Sequence, residues 1–299
     1  MSHSPEAVID ARQLTKQFGN LTAVDGLDLE VRRGEIFGYL GPNGAGKTTT
    51  IRLCLDFLRA TAGELRILGG TGRDPAIRRR IGYLPGDLRL EPRYRAADVF
   101  EFYGALRGGL DERLVAELID RFDLDPARPV GELSTGNRRK IGIIQAFAHR
   151  PELLILDEPT SGLDPLLQHE FQEILRRAVA DGATVFLSSH VLPEVEALAD
   201  RVGILRQGRL VAVASIEELQ AQARQRIDFH VAPPADPSVF AGIPEVVSSE
   251  AVDGVIRVVV EGSVERVVKA AAHLEVRRLV THDTDLEDVF LRYYQGDSR

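Results

Sequence analysis

The feature that most constrains this chain is the segment GPNGAGKT at residues 41–48. It follows the apolar run EIFGYL at 35–40 and precedes a stretch in which Ile51, Leu55 and Leu58 share one helical face. The segment fits the pattern G-x-x-x-x-G-K-[ST] in the strand–turn–helix context that gives the pattern its meaning. Glycines let a backbone wrap around phosphates, and the first amides of the following helix point toward them. The sequence therefore predicts a nucleotide-binding loop in an α/β domain.

Each part of this loop has an expected role. Lys47 is placed to reach the β- and γ-phosphates, and the Thr48 hydroxyl is placed to bind Mg²⁺. We therefore expect a nucleoside triphosphate and Mg²⁺ as cofactors. The predicted nucleotide-binding residues in and beside the loop are Gly41, Pro42, Asn43, Gly44, Ala45, Gly46, Lys47, Thr48 and Thr49.

A second element of phosphate chemistry is the segment LLILDEP at 153–159. Its four apolar residues predict a buried strand, which ends at two adjacent carboxylates. Taken alone, two acids at a strand end are equally typical of a solvated turn. Together with the loop at 41–48, they indicate that Asp157 holds the Mg²⁺ shell and that Glu158 acts as general base or orients the attacking water.

His190 ends a third buried strand, TVFLSSH at 184–190. Parallel sheets gather ligand-contacting residues at the carboxyl ends of their strands. A lone histidine is more often a structural residue, but its place after this strand favours a position at the ligand.

Composition excludes several classes of function. The net charge of −8 argues against nucleic-acid binding, which normally requires a basic face. The single cysteine, Cys54, rules out an internal disulfide framework and suits a reducing compartment. The longest apolar runs are far shorter than the roughly 20 residues of a membrane-spanning helix, and the first ten residues resemble no secretory signal. Any membrane role is therefore expected to depend on a partner.

The pattern of elements divides the chain into two predicted domains. Strands alternate with helices over residues 1–220, which predicts a mainly parallel α/β sheet, with a helical subdomain inserted at about 87–150. Residues 221–299 read as a small α+β domain. It ends in the segment LEDVFLRYY, where Leu286, Val289, Phe290 and Tyr293 share one helical face.

The segment ELSTGNRRK at 132–140 is a second loop suited to anions. In isolation, Ser134 reads as a helix N-cap and Gly136 as a turn residue. The order and spacing of GPNGAGKT, LSTGNRRK, LLILDEPTSGLD and SSH change that interpretation. Over about residues 6–220 they resemble the ATPase subunits of ATP-binding cassette (ABC) transporters.

The resemblance implies a P-loop NTPase fold of the ABC type and a head-to-tail dimer with two ATP molecules at its interface. It implies catalytic roles for Lys47, Glu158 and His190, the last as a contact of the γ-phosphate. Phe18, 29 positions before Lys47, matches the aromatic that stacks on adenine, although ordinary packing is the alternative for one aromatic. Asp164 matches the loop that couples the two active sites.

The resemblance also gives the second loop a purpose. Ser134, Gly136 and Asn137 would face the γ-phosphate that Lys47 of the other subunit holds. Asn137 stands where the family usually has glutamine, which keeps the amide but shortens its reach. We therefore expect altered geometry and retained function.

A larger departure lies in the stretch IGYLPGD. The family usually has a glutamine that contacts Mg²⁺ and water at the position of Gly86, and Asp87 follows it here. Our hypothesis is that Asp87, or backbone and water, fills this gap.

The segment 73–95 carries seven arginines against three acids. A solvated face is one interpretation. The other is a docking surface for a cytoplasmic helix of a membrane subunit, where the resemblance places that contact, and where Arg89, Arg93 and Arg95 would take part.

The form of the second loop and of the C-terminal segment resembles the bacterial multidrug and antibiotic-resistance exporter branch. The resemblance implies ATP hydrolysis on the cytoplasmic face of the membrane, as a homodimer or heterodimer of ATPase subunits. It implies a separate multi-span permease that contacts the transported substrate. The alternatives are an importer ATPase with a regulatory tail and a soluble, non-transport ABC protein. A permease that co-purifies would exclude the last.

Overall fold

The computed structural model describes residues 7–222, 224–233 and 235–282, together with residues 286, 289, 290 and 293. The chain divides into two compact units between Val213 and Ala214. The predicted domain boundary at 220/221 stays a prediction. Within the described residues, no helix is long and apolar enough to cross a membrane.

The strands between Ala7 and Ser215 form two sheets. In chain order they are β1 (Ala7–Phe18), β2 (Leu21–Arg32), β3 (Ile36–Leu40), β4 (Ala62–Ile67), β5 (Ile81–Leu84), β6 (Leu153–Asp157), β7 (Thr184–Ser189), β8 (Arg201–Arg206) and β9 (Arg209–Ser215). One sheet has the order β2-β1-β4 and is antiparallel. The other has the order β5-β6-β7-β3-β8-β9, and its five strands from β5 to β8 are parallel.

The parallel sheet confirms the predicted α/β class. Every position of β3, β6 and β7 is buried, which explains why these strands read as continuous apolar runs. The antiparallel sheet is not predicted from the sequence: LDLEV at 27–31 and ELRILG at 64–69 indicate parts of β2 and β4, but nothing in them indicates the sheet that they form with β1. Because parallel strands end at one edge, the segments after β3, β6 and β7 lie together.

Seven helices of the described chain accompany these sheets. They are α1 (Lys47–Cys54), α2 (Pro75–Arg79), α3 (Ala96–Arg107), α4 (Glu112–Arg121), α5 (Thr135–Phe147), α6 (Pro165–Ala180) and α7 (Leu192–Leu198). Helix α5 lies very close to β5, since a Cβ on Gly142 would be 2.8 Å from Leu84 and 2.6 Å from Leu88. This close contact brings the segment 132–140 next to the edge of the sheet where β5 and β6 end.

The second unit is a small α+β structure. It contains α8 (Ile216–Gln222), β10 (Arg224–Val231), β11 (Val246–Val252), β12 (Val255–Glu261), α9 (Glu265–Ala271) and β13 (Val276–His282). Its antiparallel sheet has the order β11-β12-β10-β13. The rings of Phe229 and Phe240 stack in its core, with centroids 5.2 Å apart. Most of the predicted C-terminal helix lies outside the described residues, but residues 286, 289, 290 and 293 are helical.

Candidate active site

The loop 41–46 joins β3 to α1 and depends on glycine at two positions. Gly44 and Gly46 have φ angles of +80° and +111°, a region that side chains disfavour. A Cβ on Gly46 would also lie 2.4 Å from the carbonyl oxygen of Ala23. The loop therefore lies tightly against β2, and its conformation excludes larger residues.

Lys47, the first residue of α1, is held above this loop. Its side chain is only 6% exposed. The ammonium group donates hydrogen bonds to the carbonyls of Gly41 at 2.6 Å and Pro42 at 3.3 Å. It also lies 3.3 Å from Oε1 of Glu158. These contacts fix the lysine at the point where β3 and β6 end.

Thr48 and Asp157 meet behind the lysine. The Thr48 hydroxyl donates to Oδ2 of Asp157 at 3.0 Å, and Asp157 is almost fully buried at the end of β6. Hydroxyl and carboxylate oxygens are ligands that Mg²⁺ prefers. Burial and the nearby Asp157 carboxylate raise the pKa of Tyr83 to about 12, so this phenol stays protonated.

Ser188 holds this carboxylate from the other side. Its hydroxyl donates to Oδ1 of Asp157 at 2.5 Å, and its carbonyl accepts the backbone amide of Glu158 at 3.1 Å. Ser188 is not among the residues predicted from the sequence. Its signal was present in the segment SSH, because the serine two positions before His190 is the neighbour of Asp157 in the β6–β7 register.

Glu158 lies between two other site residues. Its Oε2 is 2.7 Å from Nδ1 of His190, while Oε1 faces Lys47. The backbone of Glu158 has φ +49°, which is uncommon for a residue with a side chain. Strain of this kind is typical of functional sites, where the surrounding structure maintains it. Here the bond from its amide to β7 does so.

These side chains open into one cleft of about 540 Å³. It contains most of the predicted nucleotide-binding loop together with Glu158 and His190. The residues that line it are Phe18, Leu21, Ala23, Pro42, Asn43, Gly44, Gly46, Lys47, Thr48, Thr49, Gly86, Glu158, Ser161 and His190. Two predicted loop residues, Gly41 and Ala45, are buried beneath this lining. Leu21, Ala23 and Ser161 are additions that the sequence analysis did not name.

Phe18 lies at the mouth of the cleft. Its side chain is 44% exposed, and the ammonium group of Lys16 lies 4.9 Å from the ring centroid. An exposed aromatic ring beside a phosphate loop is suited to stacking on a base. The adenine contact itself stays a prediction.

Gly86 and Asp87 are adjacent in sequence but face in different directions. A Cβ on Gly86 would lie 3.3 Å from Oδ2 of Asp157, so this position faces the Asp157 carboxylate. Asp87 does not line the cleft; its side chain is 73% exposed and pairs with Arg89 at 2.8 Å. Of the two hypotheses for the missing glutamine, the geometry favours backbone and water.

The remaining predicted residues do not line this cleft. Ser134 caps α5 by accepting the amide of Asn137 at 3.2 Å, and Asp164 caps α6 by accepting an amide at 3.0 Å. A Cβ on Gly136 would lie 3.2 Å from the carbonyl oxygen of Gly162, so the two capping loops touch. Within one chain, these four residues form a separate surface.

Comparison with known proteins agrees with this geometry. The sequence model of the family described as ABC transporter matches residues 24–161. The bacitracin transport ATP-binding protein of Enterococcus faecalis is 32% identical over 97% of this chain and 97% of its own length. The Nod factor export ATP-binding protein I of Cupriavidus pinatubonensis is 37% identical over 71% of this chain and 68% of its own length.

A solved structure gives the same result for the fold. The ATP-binding subunit of an ABC transporter superposes with a TM-score of 0.68 at 28% sequence identity. The match covers 72% of this chain and 92% of that subunit.

Proposed function

The chain belongs to the ABC transporter family of ATP-binding proteins and is an ATPase, and from this premise we propose that it powers a separate membrane-spanning exporter. The observation that carries the proposal is that Lys47, Thr48 and Glu158 line one cleft, with Asp157 directly behind Thr48. The name of the Nod factor export relative supports the outward direction, and that of the bacitracin relative supports a role in antibiotic resistance.

In the proposed reaction, Lys47 and the amides of the loop 41–46 bind the phosphates of ATP, and Phe18 stacks on adenine. Mg²⁺ fits the facing oxygens of Thr48 and Asp157, and when bound it would offset negative charge on the phosphates. Glu158 accepts a proton from the attacking water, and His190 orients the carboxylate from 2.7 Å away.

The second half of each site comes from a second subunit. The surface formed by Ser134, Gly136, Asn137 and Asp164 lies outside the cleft of its own chain. The N-terminus of α5 carries partial positive charge and free amides, which suit a phosphate. In the proposed dimer this surface covers the γ-phosphate bound to the partner's Lys47. Bound γ-phosphate then stabilises the closed dimer over the open one.

The membrane partner is proposed to dock in a groove beside α2 and α3. This groove of about 630 Å³ is lined by apolar and arginine side chains, among them Phe57, Leu106, Arg78, Arg79 and Arg89. Arg93 and Arg95, which the sequence analysis included, are not among its lining residues. We propose that the protein lies on the cytoplasmic face of the membrane through this contact.

The decisive experiment combines turnover with co-purification. Glu158→Gln should lower kcat about 1,000-fold, as loss of a general base does, yet bind ATP and accumulate as a closed dimer in gel filtration. Glu152→Gln, at the opposite end of β6, is the matched control and should keep its turnover. A Glu158→Gln protein that hydrolyses ATP at the wild-type rate would contradict the role proposed for Glu158.

A multi-span protein should co-purify with the wild type, and its absence would contradict the transporter assignment.

A further inference from the structure

Arg139 is a buried arginine on the second turn of α5. Its residue surface is 4% exposed. Arginine is almost never buried to this degree unless its charge and its donors are satisfied. What surrounds its guanidinium group therefore indicates why the residue is there.

Among the residues that the structure describes, the guanidinium group donates only to backbone carbonyls, and these belong to two segments. One segment, 85–86, follows β5, and the other, 157–159, contains the end of β6 and the turn after it. The bonds run from Nη1 to Pro85 at 2.5 Å and Gly86 at 3.2 Å, from Nη2 to Asp157 at 2.8 Å and to Glu158, and from Nε to Pro159 at 3.1 Å.

These bonds stabilise an arrangement that the strands alone leave free. The ladder between β5 and β6 ends at Leu84 and Leu156, so the segments beyond it have no ladder hydrogen bonds to each other. A planar fork with five donors bridges them in one fixed geometry. Burial lowers the pKa of Arg139 to about 10 while the charges of Asp157 and Glu158 oppose this, so the group is cationic at neutral pH.

We infer that Arg139 is a positioning residue for ATP hydrolysis, which holds the backbone of Asp157 and Glu158 against the segment 85–86. The inference rests on the proposed roles of those two carboxylates. Gly86 has no side chain that could reach Asp157, so the arginine makes the connection from behind, through carbonyl groups. Because Ser134 caps α5 and Arg139 lies on its second turn, a shift of the loop that faces the partner's nucleotide would also move the backbone of Glu158.

The same two strands contain a matched control. At their opposite ends, Arg80 and Glu152 form a two-bond ion pair with distances of 2.6 and 2.7 Å. Arg80 therefore also joins β5 to β6, but away from the cleft. If Arg139 only joined the two strands, its replacement should affect kcat no more than replacement of Arg80 does. Replacement of a positioning residue should lower kcat.

The experiment compares Arg139→Met, Arg139→Lys and Arg80→Met as full-length proteins. Misplacement of catalytic groups by about 1 Å costs on the order of 100-fold, so Arg139→Met should lose about that much in kcat. Its KM for ATP should change less than about twofold, because the loop 41–46 does not contact Arg139. Lysine has three donors in place of five, so Arg139→Lys should retain an intermediate kcat. Arg80→Met should keep the wild-type kcat even where its melting temperature falls.

Hydrogen–deuterium exchange gives a readout that does not depend on turnover. Arg139→Met should raise exchange in both 86–88 and 157–161, and Arg80→Met should raise it in neither. The inference is overturned if folded Arg139→Met, or Arg139→Lys where the methionine variant does not fold, has the kcat of the wild type. It is equally overturned if Arg80→Met loses as much kcat. A wild-type protein without turnover would instead contradict the proposed function.

Discussion

At the scale of single residues, the site depends on groups that orient the carboxylates as much as on the carboxylates. Ser188 shows this most directly, because its hydroxyl, its carbonyl and its position in β7 all act on Asp157 or Glu158. Outer partners of metal ligands commonly change metal affinity by 10–100-fold. The hydroxyl is therefore expected to matter although it does not line the cleft.

Ser188→Ala should raise the Mg²⁺ concentration for half-maximal turnover about tenfold. The physical reason is that Oδ1 of Asp157 loses its 2.5 Å donor and the carboxylate becomes free to rotate. A titration of turnover against Mg²⁺ at saturating ATP measures the effect. Ser189→Ala is the control, since its hydroxyl bonds Glu194 and the Val191 amide instead. Equal Mg²⁺ dependence in the two variants would contradict the assignment.

Asp87→Ala should leave Mg²⁺-dependent turnover within about twofold of the wild type, as surface substitutions usually do. Its carboxylate is exposed and paired with Arg89, and only Gly86 faces Asp157. The measurement is again turnover against Mg²⁺. A large loss in Mg²⁺ affinity would restore Asp87 as the residue that fills the place of the missing glutamine.

The sequence predicts those site residues that a local pattern marks. Lys47, Thr48, Asp157 and Glu158 follow from spacing and from the strands before them, and all four lie at the cleft or directly behind it. Arg139 could not be predicted in this way. Its partners are backbone carbonyls 18 to 54 positions away. Every residue has a backbone carbonyl, so the amino-acid sequence does not mark these acceptors.

At the scale of elements, apolar periodicity predicts the strands that are buried on both faces and misses most of the long strands β1 and β2. The run LLIL marks β6 because helices and neighbouring strands cover it completely. The 12-residue strands β1 and β2 mix buried and exposed positions, and register shifts interrupt their pairing. Period-two alternation is broken at such shifts, so within these two strands it marks only LDLEV at 27–31.

The groove beside α2 and α3 gives an element-scale prediction. Reversing the charge of Arg78, Arg79 and Arg89 to glutamate should weaken assembly with the membrane partner and leave ATP binding unchanged. The arginines line the groove but not the nucleotide cleft, and like-charge or unpaired groups at an interface oppose association. Co-purification yield and ATP affinity are measured together.

The control for this experiment changes the same number of charges elsewhere. Arg12, Arg113 and Arg176 are exposed and lie outside the groove. Their triple glutamate variant should assemble normally. If both variants lose the partner equally, net charge and not the groove determines assembly.

His149, just after α5, should make stability depend on pH. Its Nδ1 lies 2.6 Å from a donor of Arg107, and its Nε2 lies 3.2 Å from the carbonyl of Ile81, so the neutral ring fits both. Burial, followed by the charge of Arg107, lowers the pKa of His149 to about 4. The unfolded chain takes up a proton near pH 6.5 and the folded chain does not, so stability is full above pH 6.5 and falls toward pH 4.

The expected loss over that range is about 3 kcal/mol. Urea unfolding at pH 7.5, 6 and 5 should show about 2 kcal/mol of this loss by pH 5, and His149→Gln should reduce the slope because its amide does not titrate. An unchanged slope in His149→Gln would assign the pH dependence to other groups.

At the scale of the whole molecule, the proposal requires that neither subunit contains a complete site. The cleft holds the phosphate loop and the carboxylates, whereas the surface around Ser134 lies apart from it in the same chain. The sequence could predict this division only through the resemblance to a dimeric family. Nothing in the local pattern of ELSTGNRRK distinguishes a phosphate loop from an ordinary helix cap.

A mixture of two inactive variants tests this division. Lys47→Ala removes the phosphate ligand of a subunit's own cleft, and Ser134→Arg blocks the loop that serves the partner's cleft. Each variant alone should lose nearly all turnover, because both of its sites are defective. In a mixed dimer, however, the cleft of Ser134→Arg meets the intact loop of Lys47→Ala. One complete site forms, and turnover should return toward half of the wild-type value per mixed dimer.

The arrangement of the sites decides the outcome. If the loop served the cleft of its own chain, every subunit in the mixture would still contain one defect, and mixing would restore nothing. Differently tagged subunits, purified through both tags, ensure that mixed dimers are measured. Dilution gives an independent check, because specific activity should fall as wild-type dimers dissociate while ATP binding persists. A monomer with full activity at high dilution would contradict the shared site, since its own loop would then be sufficient.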